Sequence, residues 1–164
     1  MSDPVQTVGP VSSSTHPGDW SDCGSVSDVT ETRFTHSADG TRLAYQVSGE
    51  GPLNLVFLRD EAMPLDLMWD DPWFVRLSKR LGAFSRTVWE EPRGAGASEG
   101  DWRAFGTGER READALALLD AAVGPEPVAL LGWGPVGVLA IEFAVMHPDR
   151  VSALVLVNSY AHYV

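Results

Sequence analysis

The spacing of hydrophobic residues changes along the chain, and each change predicts an element. Thr32-Arg33-Phe34-Thr35-His36 and Arg42-Leu43-Ala44-Tyr45-Gln46-Val47 alternate in polarity around Ala38-Asp39-Gly40. Alternation around an Asp-Gly pair predicts a β-hairpin. Leu53–Leu58 is almost continuously apolar, as in strands covered on both faces. Past Asp71-Pro72 the period lengthens, and Phe74, Leu77 and Leu81 fall on one helical face, with the proline suited to a first turn. Arg86–Glu90 reads as a fourth strand. Glu109–Val123 reads as an amphipathic helix with Leu116, Leu119 and Val123 inward and Gly124 as its stop. Pro127–Leu131 is a fifth strand and Val151–Val157 a sixth. Between them Pro135–Met146 is apolar nearly all round, Glu142 excepted, which predicts a helix buried between layers. This order predicts an α/β fold with a mostly parallel sheet of about six strands behind an N-terminal antiparallel hairpin.

Composition adds boundaries and exclusions. Residues 1–30 are rich in Ser, Thr, Gly, Pro and Asp and contain no Lys or Arg. They predict a flexible tail, leaving residues 31–164 as one partial domain. A net charge of -11 without a basic run argues against a nucleic-acid partner. Cys23 is the single cysteine, so neither an internal disulfide nor a Cys-based metal site is expected. No stretch is long and apolar enough to span a bilayer, and the N-terminus lacks a signal-peptide pattern. The expected location is the cytoplasm, with no membrane partner.

The candidate chemistry lies in Leu131-Gly132-Trp133-Gly134-Pro135-Val136-Gly137. Gly132, Gly134 and Gly137 fit G-x-G-x-x-G between a strand and a helix, which reads as a dinucleotide (FAD or NAD) fingerprint. Such a site would belong to an oxidoreductase fragment. The following strand ends at Asn158-Ser159 without an acidic residue for the ribose. Over 130 residues precede the fingerprint and fewer than 30 follow. No cofactor is therefore expected.

The second reading rests on several motifs in order. The hairpin and apolar strand come first, then Arg93-Gly94-Ala95-Gly96-Ala97-Ser98. Leu118-Leu119-Asp120-Ala121-Ala122-Val123-Gly124 follows, and then Met146-His147-Pro148-Asp149-Arg150-Val151 leading into the sixth strand. Over about residues 31–164 the chain resembles the N-terminal half of the α/β-hydrolase fold. Within that fold it looks similar to hydrolase-like domains that accompany class III nucleotide cyclases and regulators in actinobacteria. The resemblance implies a nucleophile elbow, G-x-S-x-G, at Gly132–Val136. Here Gly134 stands at the serine position, and Pro135, which has no N–H, stands where an oxyanion-hole amide belongs. The second oxyanion donor would come from Arg59-Asp60-Glu61-Ala62-Met63-Pro64, whose Asp60 and Glu61 repel negative charge. The resemblance implies that Ser98 bonds backbone and that the loop glycines supply positive φ angles. His147, at a helix end, and His162, too early for the family's histidine, both read as structural.

The expectation is a truncated α/β-hydrolase-like protein with a degenerate elbow at Gly132, Gly134 and Pro135. It would have no catalytic residue and would be non-catalytic, serving as an interaction or ligand-sensing module. A hydrolase active only with a partner chain is the remaining alternative. As an edge, Ala153-Leu154-Val155-Leu156-Val157 would leave apolar residues and backbone groups unpaired. That edge predicts a homodimer or a complementary chain.

Overall fold

Asp71 begins a helix for a local reason: its carboxylate accepts the Trp73 N–H at 2.8 Å, and Pro72 fills the first turn. The computed structural model describes residues 30–59, 63–101 and 108–161. The tail expected over residues 1–30 lies almost wholly outside them. The elements are β1 (Arg33–His36), β2 (Arg42–Ser48), β3 (Leu53–Leu58), α1 (Leu65–Met68), α2 (Pro72–Gly82), β4 (Ser85–Glu90), α3 (Gly108–Ala122), β5 (Val128–Trp133), α4 (Gly137–Met146) and β6 (Val151–Val157). A single 3-10 turn, Gly134–Val136, joins β5 to α4.

The six strands form one sheet in the order β1-β2-β4-β3-β5-β6. The β1–β2 and β2–β4 pairs are antiparallel, and the pairs from β4 to β6 are parallel. The mixed α/β architecture and its N-terminal hairpin are thus those expected from the pattern.

Both faces of the central strands are covered. Val56, Leu58, Val88, Val128 and Leu130 pack under α3 and α4 with Leu118, Leu119, Ala140 and Phe143. Leu55, Phe57, Trp89, Ala129 and Leu131 pack under α1 and α2 with Leu65, Trp69 and Phe74. Consecutive residues of one strand serve opposite layers, so β3 has no room for a polar alternation.

Two helices differ from expectation. On α3 the buried positions are Arg111, Asp114, Ala115, Leu118, Leu119 and Ala122, whereas Leu116 and Val123 are half-buried. Arg111 and Asp114 turn inward because each meets a buried charge. Arg111 bonds Glu90 at 3.0 Å, and Asp114 bonds Arg93 at 2.7 Å. On α4, Val145 is 75% exposed and Met146 49%. The helix is not enclosed, because β6 is an edge and no described element covers its outer side.

Arg93 is the principal tie between the hairpin and the helical layer. Its guanidinium forks to Asp114 and to Asp39 in the hairpin turn, and Nη1 also donates to Thr41. The Asp114 and Asp39 carboxylates hold the guanidinium charged well above its ordinary range. In return, hydrogen bonds from Arg93 and Thr41 hold the Asp39 carboxyl well below the usual carboxylate range. Ser98 accepts the Ala44 N–H at 2.8 Å and donates to the Glu91 carbonyl at 2.7 Å, pinning the glycine loop to β2.

Arg93→Met leaves Asp114 buried without its cation and should destabilise the protein by about 3–5 kcal/mol in urea denaturation. Because the folded pKa of Asp39 is depressed, its contribution is present above a pH of about 4 and lost as pH falls below that. Asp39→Asn should therefore flatten the fall in Tm on acidification.

Candidate functional site

The C-terminal ends of parallel strands form the natural crevice of an open α/β sheet. Here that crevice is bordered by the turn after β5, Arg59 after β3, and Asn158-Ser159 after β6. Trp133 ends β5 in extended backbone, and Gly134 then swings to φ +65°. That left-handed value is costly for a side chain and free for glycine.

The sharpness of the turn comes from glycines on either side of it. A Cβ on Gly132 would stand 2.8 Å from the Gly137 Cα and 3.0 Å from the Ala140 Cβ. A Cβ on Gly137 would stand 2.2 Å from Ser159 Oγ. At Gly134 a Cβ would meet nothing within 4 Å. The three glycines of the dinucleotide reading are thus accounted for by packing and chain reversal, with no ligand required.

The Trp133 ring packs against Phe57 at 6.3 Å and Trp73 at 6.0 Å. Pro135 is exposed and has no amide hydrogen. The Gly134 carbonyl accepts the Gly137 N–H and lies 2.8 Å from Ser159 Oγ. Ser159 is a contributor that motif reading missed. Its hydroxyl also lies 3.2 Å from the Gly132 carbonyl, so it serves backbone acceptors. Asn158 precedes it with φ +51°. An Asn-Ser pair closing an apolar strand was the available signal.

The segment after β3 is held by buried charge. The Arg59 N–H donates to Glu90 at 3.0 Å, and Arg111 donates both to Glu90 at 3.0 Å and to the Arg59 carbonyl at 3.3 Å. The Arg59 guanidinium donates to the Met63 carbonyl and lies against the Met68 sulfur. Asp60 and Glu61 lie outside the described residues, as does His162. His147 ends α4, ten residues from the turn, and bonds Glu112 at 2.8 Å. It is not part of the crevice.

A cavity of about 20 Å³ between Leu58, Glu90, Arg111, Leu139 and Phe143 has room for a water rather than a substrate. Among the described residues no three His, Cys, Asp or Glu side chains gather as a metal site. No described helix is long and apolar enough to cross a membrane.

Two solved structures fix the architecture. An esterase from Rhodococcus sp. ECU1013 is 28% identical, with a TM-score of 0.63 over 79% of this chain. A hydrolase from Pseudomonas aeruginosa PA01 is 27% identical, with a TM-score of 0.67 over 82%. The fold is that of the α/β-hydrolases. An epoxide hydrolase variant from Vigna radiata shares it at 26% identity and a TM-score of 0.58 over 77% of this chain. The pimeloyl-[acyl-carrier protein] methyl ester esterase of Chromobacterium violaceum is 42% identical over 55 residues, or 34% of this chain and 22% of the esterase. No family model matches the chain. The chain spans under half the length of the three structures, at 46%, 48% and 38%.

These likenesses correct the functional expectation drawn from the sequence. The similar proteins are named as esterases and hydrolases, so they point to hydrolytic chemistry rather than to a non-catalytic module. They equally displace the oxidoreductase-fragment alternative. The inference from Gly134 went too far: a missing hydroxyl at one position does not by itself decide the reaction class.

The glycine geometry orders three substitutions. Gly137→Ala and Gly132→Ala should each cost about 2 kcal/mol or more, because backbone or packed side chain must move. Gly134→Ala should cost about 1–2 kcal/mol, from φ alone. Urea denaturation of the three variants measures the order.

Proposed function

We propose that this chain provides the central sheet and elbow of a hydrolase acting on carboxylic esters or closely related electrophiles. The observation that carries the reading is the β5–α4 turn, with positive φ at Gly134 and open space above it. It stands at the C-terminal edge of a sheet shared with an esterase and a hydrolase. In a strand–turn–helix of this kind the apex residue faces the substrate.

Residue 134 sets the terms of the chemistry. A glycine supplies no covalent nucleophile, and Pro135 supplies no oxyanion amide. On this reading the elbow is degenerate at Gly132, Gly134 and Pro135, and hydrolysis proceeds by direct attack of water without an acyl-enzyme at the apex. Ser159 does not replace the missing serine, since its hydroxyl is directed to backbone carbonyls. The proposal also places the protein with the hydrolase-like domains that accompany class III cyclases and regulators in actinobacteria, and in the cytoplasm. The Arg93–Ser98 loop and the His147-Pro148 passage support the hydrolase-like part of that placement.

Assay of the purified protein against short-chain p-nitrophenyl esters should give hydrolysis above the buffer rate and no adduct with a fluorophosphonate. Gly134→Ser, which has room for its side chain, should gain a fluorophosphonate adduct at position 134. Absence of hydrolysis across the ester panel would overturn the hydrolase reading. An adduct on the unmodified protein would overturn the direct-water route.

A further inference from the structure

A groove of about 540 Å³ runs between β1 and α3, at the opposite edge of the sheet from β6. Its floor is Ala113, Leu116, Ala117 and Ala121 of α3, and Thr35 of β1 forms one wall. It is open because three of those four helix positions carry a single methyl group. Thr35 crosses it at one point, where its hydroxyl donates to the Ala117 carbonyl at 3.4 Å. Leu116, which hydrophobic period places inward, is half-buried and turns its remaining surface to this groove. The volume falls in the range of ligand pockets. The two ends are polar. Arg33 and Thr35 share one face of β1, and Arg33 stands opposite Tyr45 of the α3-side core. Arg33 is exposed, and among the described residues no acid pairs with it. His36 lines the other end. Asp120, the acid on the rim, is already paired with Arg150 at 2.9 Å.

We infer that the occupant of this groove is Asp19-Trp20-Ser21-Asp22 of the same chain, with the Trp20 indole against Leu116 and Ala117. The first reason is where that segment joins the fold. Residues 1–29 lie outside the described residues and lead into Thr30, three positions before Arg33. The ten residues from Trp20 to Thr30 reach up to about 33 Å when extended. β1 itself is roughly 10 Å long, so the chain has slack to turn back along the groove. α3 runs against β1, which sets Ala121 toward Arg33 and Ala113 toward His36. A chain returning from Thr30 therefore enters at the Arg33 end.

The second reason is complementarity of charge and shape. Trp20 is the single aromatic residue of residues 1–29, and it has an acid on either side, Asp19 and Asp22. Residues 1–29 hold no Lys or Arg that would meet Arg33 with like charge. In the direction just described, Asp22 meets Arg33 at the entrance and Asp19 meets His36 at the far end. The apolar floor between them takes the ring, whose burial supplies most of the attraction. Tethering supplies the rest. A short linker gives an effective concentration on the order of millimolar, so a millimolar intrinsic affinity holds the segment in place about half of the time. The contact is a reversible latch over β1 and α3.

Cys23, the one cysteine of the chain, lies three residues past Trp20 and tests this independently of any hydrolytic activity. Ala121 is exposed at the Arg33 end of the groove. In the full chain carrying Ala121→Cys, oxidised glutathione should close an intramolecular disulfide to Cys23, followed by intact mass and peptide mapping. Adding Trp20→Ala should slow that closure at least tenfold, whereas Trp20→Phe should keep at least half of the rate. Arg33→Glu should slow it at least threefold at low ionic strength, and Asp22→Lys combined with Arg33→Glu should restore it. Closure at the same rate with and without the indole overturns the inference, because a tail that merely passes Ala121 gives that result. Absence of the intramolecular bond also overturns it. So does a disulfide formed mainly between copies, which assigns the groove to a second chain.

Discussion

Between β5 and α4 the backbone reverses within three residues, and the two elements then run nearly in contact. Gly132 and Gly137 permit this because neither carries a Cβ: one on Gly132 would lie 2.8 Å from the Gly137 Cα. The approach brings Ala140 and Phe143 onto the sheet, where they complete the core formed by Val128 and Leu130. It also sets Gly134 at the apex of the turn, where a Cβ would meet nothing within 4 Å beyond its chain neighbours. A larger residue at either flanking glycine would push α4 outward. The core layer and the shape of the turn would then fail together.

Around this turn the protein uses buried charge where a smaller fold would use apolar packing. Arg111 and Glu90 clamp both peptide groups of Arg59, fixing the strand end beside the elbow. Arg93 joins three chain segments through Asp39, Thr41 and Asp114. Glu91 accepts the amides of Leu65 and Ala97 at 2.6 Å each, so one carboxylate holds both α1 and the glycine loop. Such arrangements tolerate loss of a partner poorly, since the remaining charge stays buried. They leave the crevice rigid on the β3 and β4 sides. On the β6 side no described element closes it.

The architecture was legible because the period of the sequence is unambiguous. Leu55–Leu58 is apolar at consecutive positions and fills both layers, and Asp71-Pro72 writes its own helix start. Hydrophobic period misjudged α3, where Arg111 and Asp114 occupy inward positions that pattern alone assigns to solvent. Their partners, Glu90 and Arg93, are distant in sequence, and no local rule links them. Burial of α4 was misjudged for a related reason: an apolar helix predicts a covering layer but does not say where that layer comes from. At the elbow the error lay in moving from a missing side chain to a missing activity. Ser159 was invisible to motif reading because its role depends on the chain returning, 25 residues later, to the carbonyl of Gly134.

Gly134 therefore separates the class of reaction from its route. The sheet is shared with an esterase and a hydrolase, while on the proposed reading the apex carries a hydrogen in place of an attacking group. The route is most directly read from the first turnover. Rapid mixing of the protein with an activated ester, with product release and intact mass followed together, should show linear release from time zero and an unchanged protein mass. A stoichiometric burst accompanied by an acylated protein would contradict the account.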